Sequence, residues 1–62
     1  MEVFTIKQLI EYLKCSESTI RKLVRSKAIP YFRVGNKIYF SKRAIDLWVR
    51  QQEVVNLQVL NY

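Results

Sequence analysis

Histidine is absent from this 62-residue chain, and cysteine, glycine and proline occur once each. One cysteine forms no disulfide within the chain, and without histidine there is no cluster of metal-ligand type. A single glycine excludes a glycine-rich phosphate loop. The apolar runs are only a few residues long, so nothing in the sequence is long enough to span a bilayer. The first residues, Met-Glu-Val-Phe-Thr, lack the basic region and apolar stretch of a signal peptide. Cytoplasmic placement is therefore expected, with no metal and no cofactor. Enzyme activity has little to stand on: no nucleophile has a base at useful spacing, and the five acidic residues are scattered rather than paired.

Acidic residues are also missing from one long interval. Between Arg21 and Arg43 stand eight cations, Arg21, Lys22, Arg25, Lys27, Arg33, Lys37, Lys42 and Arg43, and no aspartate or glutamate. All five acids (Glu2, Glu11, Glu17, Asp46, Glu53) lie outside it, so the interval carries more than the whole formal charge of +6. Neutralising phosphates supplies most nonspecific affinity for nucleic acid, and this asymmetry is what a polyanion-binding face requires. An ordinary solvated basic surface would show the same count.

Half of the residues are apolar, enough for one small domain. Thr5 opens a first helix. Gln8 three residues on completes a capping box, and Ile6, Leu9, Ile10 and Leu13 recur at helical spacing. Lys14-Cys15-Ser16 reads as a turn, with Ser16 capping a second helix and Glu17 at its positive end. Ile20, Leu23 and Val24 point inward there. Ser18, Thr19, Arg21, Lys22 and Arg25 are left outside. Two short helices in this order suit a helix-turn-helix. The second helix fits a major groove, its small hydroxyls permit close approach, and its arginines reach guanine edges or phosphates. Any amphipathic helix pair would share the periodicity.

Pro30 ends that helix and pushes Ile29 towards an extended conformation. Tyr31-Phe32-Arg33-Val34 and Ile38-Tyr39-Phe40 then flank Gly35-Asn36-Lys37 as a hairpin. A two-residue loop mixes charged and apolar side chains on both faces. A three-residue loop sets Val34 against Ile38 and Phe32 against Phe40, with Arg33 and Tyr39 outward and Asn36 and Lys37 at the tip. A buried face favours the second register. Ser41 then caps a third helix, about Lys42 to Gln52, whose inner stripe is Ala44, Ile45, Trp48 and Val49. Trp48 falls on that stripe and reads as a core anchor. From Glu53 to Tyr62, Val55, Leu57 and Val59 alternate as in a strand, while Val55, Val59 and Tyr62 would share one side of a helix.

The stretches Thr5–Leu13, Ser16–Val24, Ile29–Gly35 and Phe40–Trp48, in this order and spacing, resemble the excisionase-type winged helix-turn-helix family, related to MerR-like DNA-binding domains. The resemblance covers Phe4 to Val49. It implies a mainly α fold with a small β-hairpin: three helices plus a wing, in a domain of residues 1–52, while the apolar tail of residues 53–62 lies outside the resemblance. It implies that the helix from Ser16 to Arg25 enters the major groove, with Ser16, Ser18, Thr19, Arg21, Lys22 and Arg25 as candidate contacts. The wing residues Arg33, Asn36 and Lys37 would meet the phosphate backbone or minor groove. The chain departs from the family's pattern at Lys14, where glycine or asparagine is usual, and at a wing tip with less arginine. Cys15 stands where the family has a small buried apolar residue, and core packing suits it better than a reactive thiol.

The expected function is sequence-specific binding of double-stranded DNA by a protein of a phage, plasmid or other mobile element, as an excisionase-like architectural factor or small transcriptional regulator. A recombinase or replication protein is a candidate partner, and the tail is a candidate for self-association or core packing. The competing reading is a protein-interaction adaptor that keeps the winged fold and works through its apolar tail.

Overall fold

The computed structural model describes the backbone of residues 2–60 and the side chains of residues 2–53. Its elements run β1 (Val3–Phe4), α1 (Ile6–Leu13), α2 (Glu17–Arg25), β2 (Phe32–Val34), β3 (Lys37–Ser41) and α3 (Lys42–Leu60). The three strands form one antiparallel sheet in the order β1-β3-β2. The architecture is a winged helix-turn-helix.

Local chemistry sets the helix boundaries. Gln8 N–H donates to Thr5 Oγ1 at 3.2 Å, and Thr5 N–H donates to Gln8 Oε1 at 3.0 Å. These reciprocal bonds satisfy two backbone donors that a helix start leaves open. The chain leaves α1 through Lys14 at φ 57°, ψ 48°, and Cys15 N–H reaches back to the Ile10 carbonyl at 3.2 Å. This left-handed residue is what allows so tight a turn before Ser16, which caps α2 by accepting from Thr19 N–H at 3.3 Å. α2 closes in the same way. Lys27 has φ 57°, and Lys27 and Ala28 N–H groups bond to the Val24 and Leu23 carbonyls at 3.0 and 2.9 Å.

Among the described residues six side chains make the core: Leu9 from α1, Ile20 and Val24 from α2, Ile29 from the following loop, Phe40 from β3 and Ile45 from α3. All three helices and the central strand contribute, and burying each such side chain is worth roughly 1.5–3 kcal/mol. Trp48 packs against this cluster half-buried, and its indole N–H donates to the Ala28 carbonyl at 2.9 Å. It thereby ties α3 to the exit of α2.

The wing takes the register that the apolar-matching argument rejects. Phe32 pairs with Tyr39, Arg33 with Ile38, and Val34 with Lys37, around a two-residue Gly35-Asn36 turn. Gly35 has φ +62° while Asn36 keeps φ negative, the II′ pattern that wants glycine first and matches the twist of a hairpin. The expected match presupposed a buried face. The hairpin instead projects beyond the core: all three β2 residues are exposed, Val34 by 60%. With β2 left exposed, turn chemistry decides the register. Lys37 consequently opens β3 rather than sitting at the tip. Arg33 lies opposite Ile38 instead of pairing with Tyr39, whose ring lies 5.9 Å from that of Phe32.

Two further differences concern the ends. β1 is invisible to periodicity because it has two residues, yet its pairing of Val3 with Ser41 and Phe4 with Phe40 makes β3 the central strand. At the other end the third helix runs to Leu60, not Gln52. The backbone of residues 54–60 is therefore helical rather than an alternating strand. The side chains of residues 54–60, and all of Asn61 and Tyr62, lie outside the described residues.

Candidate nucleic-acid interface

α2 presents its outward arc by simple geometry. Ile20 and Val24 are buried and Leu23 half-buried, which at 100° per residue leaves Ser18, Lys22 and Arg25 pointing directly away from the core. Arg21 flanks this arc on the side of the wing. Thr19 flanks it on the side of α3, where it lines an apolar hollow with Leu13, Cys15, Leu23, Trp48 and Val49. All five outward residues are exposed, as the sequence spacing predicts. Ser16 acts as a cap, and its Oγ also lies 3.1 Å from Ser18 Oγ and 2.8 Å from Thr19 Oγ1. These hydroxyls form one short chain at the helix start.

The wing, α1 and α2 border a cleft made of two adjoining hollows that share Ile6, Arg21 and Ile38. Its inner part, of about 250 Å³, is lined by Arg21, Arg25 and Arg33 over the apolar floor of Ile6, Val24 and Ile38. The observed hairpin register is what turns Arg33 onto the Ile38 face and so towards α2. The outer part, of about 360 Å³, brings together Arg21, Asn36, Lys37 and Tyr39 with Thr5 and Lys7 of the α1 start. Among the described residues no carboxylate lines either part. Of the nine residues expected at the interface, Arg21, Arg25, Arg33, Asn36 and Lys37 thus meet around one cleft. Ser18 and Lys22 stand on the adjoining ridge, and Ser16 and Thr19 sit at the α3-ward end of α2.

Lys7 is absent from the expected set. It projects from the first turn of α1, and the spacing that identifies the inner stripe says nothing of what an outward lysine faces. The β1–β3 pairing supplies that information. It delivers the chain to Thr5 beside the middle of the wing, so α1 starts against the wing rather than apart from it.

One cation in the cleft is held in advance. Arg21 Nε donates to Glu17 Oε2 at 2.7 Å, one turn back on α2, with both side chains more than half exposed. That contact uses one guanidinium N–H and leaves the four Nη donors for a ligand. An exposed i,i+4 pair adds only about 0.3–0.5 kcal/mol to the helix, so its main effect is to restrict the arginine's reach. Lys7, Lys22, Arg25, Arg33 and Lys37 make no ion pair among the described residues.

The helix-turn-helix domain model matches residues 3–53, which is the whole of the described fold up to the middle of α3. The chain belongs to this excisionase-like helix-turn-helix family. Comparison with curated proteins and with solved structures gave no match. Family membership makes the α1–α2 pair of this chain a DNA-binding helix-turn-helix, with α2 in the position of the second, recognition helix. No helix among the described residues is long and apolar enough to cross a membrane.

Proposed function

We propose that this helix-turn-helix protein binds double-stranded DNA sequence-specifically, with α2 in the major groove and the wing on the backbone or the adjacent minor groove. The observation that carries the reading is the cleft itself. Cations from α1, α2 and both wing strands line it, and among the described residues no carboxylate does. Ser18, Lys22 and Arg25 on the outward arc are the groove-facing set, with Arg21 between them and the wing. The protein is a non-catalytic DNA-occupying factor of the cytoplasm, an excisionase-like architectural protein or small transcriptional regulator of a mobile element. A recombinase or replication protein is the class of partner such a role calls for.

The test is a titration of labelled duplex by fluorescence anisotropy over a salt series. If six or so cations meet phosphates, log affinity falls against log salt with a slope near −5. Arg21→Ala should weaken binding to a selected site by about 1–3 kcal/mol where the arginine reads a base. Salt-independent binding, or none, would sink the reading.

A protein-interaction role has its own supporting observation in the apolar hollow of about 300 Å³ between α2 and α3. Its α3 side, Trp48 and Val49, continues into the helical segment that carries Val55 and Val59 one turn apart in the sequence. We propose self-association through this part of α3, since one recognition helix reads few base pairs and pairing two copies on repeated half-sites supplies the rest. Truncation after Gln52 should abolish cooperative assembly on DNA while a single domain still binds. A truncated protein that melts earlier but assembles on DNA unchanged would make the tail core instead.

A further inference from the structure

We propose that the outer part of the cleft is a discrete phosphate site, and that Lys7, at the start of α1, is one of its ligands. The proposal rests on the DNA-binding reading and extends it to a third element. Four observations converge. The site is lined from three separate parts of the chain: Lys7 of α1, Arg21 of α2, and Asn36, Lys37 and Tyr39 of the wing. Lys7, Arg21 and Asn36 bring ammonium, guanidinium and amide donors to its rim, and among the described residues no carboxylate lines the site. Arg21 is oriented by Glu17 through Nε alone, which leaves its Nη donors. The arrangement is also fixed by the fold. The β1–β3 ladder, the capping box at Thr5 and the Lys42 N–H to Glu2 carbonyl bond at 3.0 Å tie the α1 start to the central strand.

The chemical consequence is a division of labour. A phosphate diester carries one negative charge and two unesterified oxygens. A site built from several elements holds it in one place and so sets the distance between the wing and the groove in which α2 lies. Phosphate contacts fix register and orientation and carry no base information. Lys7 is therefore a sequence-independent positioning contact, unlike Ser18, Lys22 and Arg25 on the groove-facing arc of α2.

The experiment uses the full chain and a mixed-sequence duplex, because a phosphate contact does not need the specific site. Lys7→Ala should reduce the magnitude of the salt slope by about one unit. The wild-type advantage should then shrink roughly 3.5-fold between 50 and 200 mM salt. Lys7→Arg should restore most of the slope, and Lys7→Glu should weaken binding further. Lys14→Gly removes a cation at the opposite end of the same helix, where Lys14 lines a different hollow with Glu2, Gln8 and Glu11, and should leave the slope unchanged. Thermal melts by circular dichroism confirm that each variant is folded. A wild-type protein that binds duplex with a steep slope, and a folded Lys7→Ala variant with the same slope, would overturn the Lys7 assignment and leave the DNA-binding reading standing. An equal loss in Lys14→Gly would overturn it too, by showing an effect of net charge alone. A wild-type protein that does not bind duplex would overturn both.

Discussion

The two sides of α1 treat charge in opposite ways. On the side away from the cleft, Lys42 and Asp46 are paired with each other and with Tyr12. Asp46 accepts from the Tyr12 hydroxyl at 2.5 Å and from Lys42 Nζ at 2.9 Å, Lys42 lies 5.8 Å from the centre of the Tyr12 ring, and Phe4 stacks on Tyr12 at 4.8 Å. On the cleft side, Lys7, Arg25, Arg33 and Lys37 crowd together with no anion among the described residues, and only Arg21 has one. Like charges so placed repel one another and destabilise the free protein, a cost that an anionic ligand removes. The Tyr12, Lys42 and Asp46 cluster is satisfied within the monomer, whereas the cleft leaves its cations available to the anionic ligand proposed above.

The largest test of that contrast is to empty the cleft. Arg25→Ala with Arg33→Ala removes one cation from each wall of its inner part. The salt slope should fall in magnitude by about one unit for each that meets a phosphate, with the loss at Arg33 shared by all sequences and the loss at Arg25 greatest on the selected site. Relief of repulsion should leave the melting temperature of the free protein unchanged or raised. Replacing Lys42 and Asp46 together by alanine on the opposite side should do the reverse, leaving the slope alone and lowering the melting temperature. A double arginine variant with wild-type salt dependence would mean that the contrast has no bearing on ligands.

A second, smaller effect separates fold from interface within α1 itself. Lys14 holds a left-handed conformation that non-glycine residues adopt at a cost of roughly 1 kcal/mol. Lys14→Gly should relieve this, with the greater freedom of glycine in the unfolded chain offsetting part of the gain. A stabilisation of up to about 1 kcal/mol corresponds to a rise of roughly 4–8 °C in melting temperature for so small a domain. DNA affinity should hold, because the residue lies outside the cleft. A lower melting temperature for Lys14→Gly would show that the lysine side chain contributes more than its backbone costs.

Lys14 also illustrates how much the sequence shows. The caps at Thr5 and Ser16 were legible because capping depends on residue type at fixed spacing, and both form as expected. The inner stripes of the first two helices were legible for the same reason: packing follows period. The left-handed Lys14 was legible only as a departure from the family pattern, and the matching Lys27 was not foreseen at all, since neither is glycine. Apolar matching misreads the wing register because it outweighs turn chemistry only where a face is buried. Whether β2 is buried depends on how far the hairpin overhangs the core, and no local pattern encodes that. β1 escaped because two residues have no period, and with it went the approach of α1 to the wing. The cations of α2 and the wing could be named from the sequence, but their convergence with Lys7 is a product of sheet order.

The smallest effect concerns the self-contained side and its dependence on pH. The Tyr12 hydroxyl and then the Lys42 ammonium hold the Asp46 carboxyl below the ordinary carboxylate range. In turn, Asp46 pushes the Tyr12 phenol and the Lys42 ammonium above their ordinary values. A carboxyl whose value is depressed on folding contributes its stability fully above the unfolded value, about 3.9, and loses it as pH falls through the lower folded value. The phenol and the ammonium run the other way. Each contributes below its unfolded value, about 10 and 10.4, and loses that contribution as pH rises through the higher folded value. The cluster should therefore stabilise the fold across the neutral range and fade at both extremes. Because the three groups are solvent-accessible, the amplitude should be small and should shrink with added salt. Urea midpoints measured from pH 3 to pH 11 should fall at both ends for the wild type. Asp46→Asn should flatten both limbs at once, since Asp46 is the principal partner of the other two. Tyr12→Phe should flatten part of the acid limb and leave the Lys42 share of the alkaline one. Neither change should alter the salt slope of DNA binding at neutral pH. An Asp46→Asn profile that falls as steeply as the wild type at both ends would place the pH dependence elsewhere in the chain and remove this cluster from the stabilising contacts.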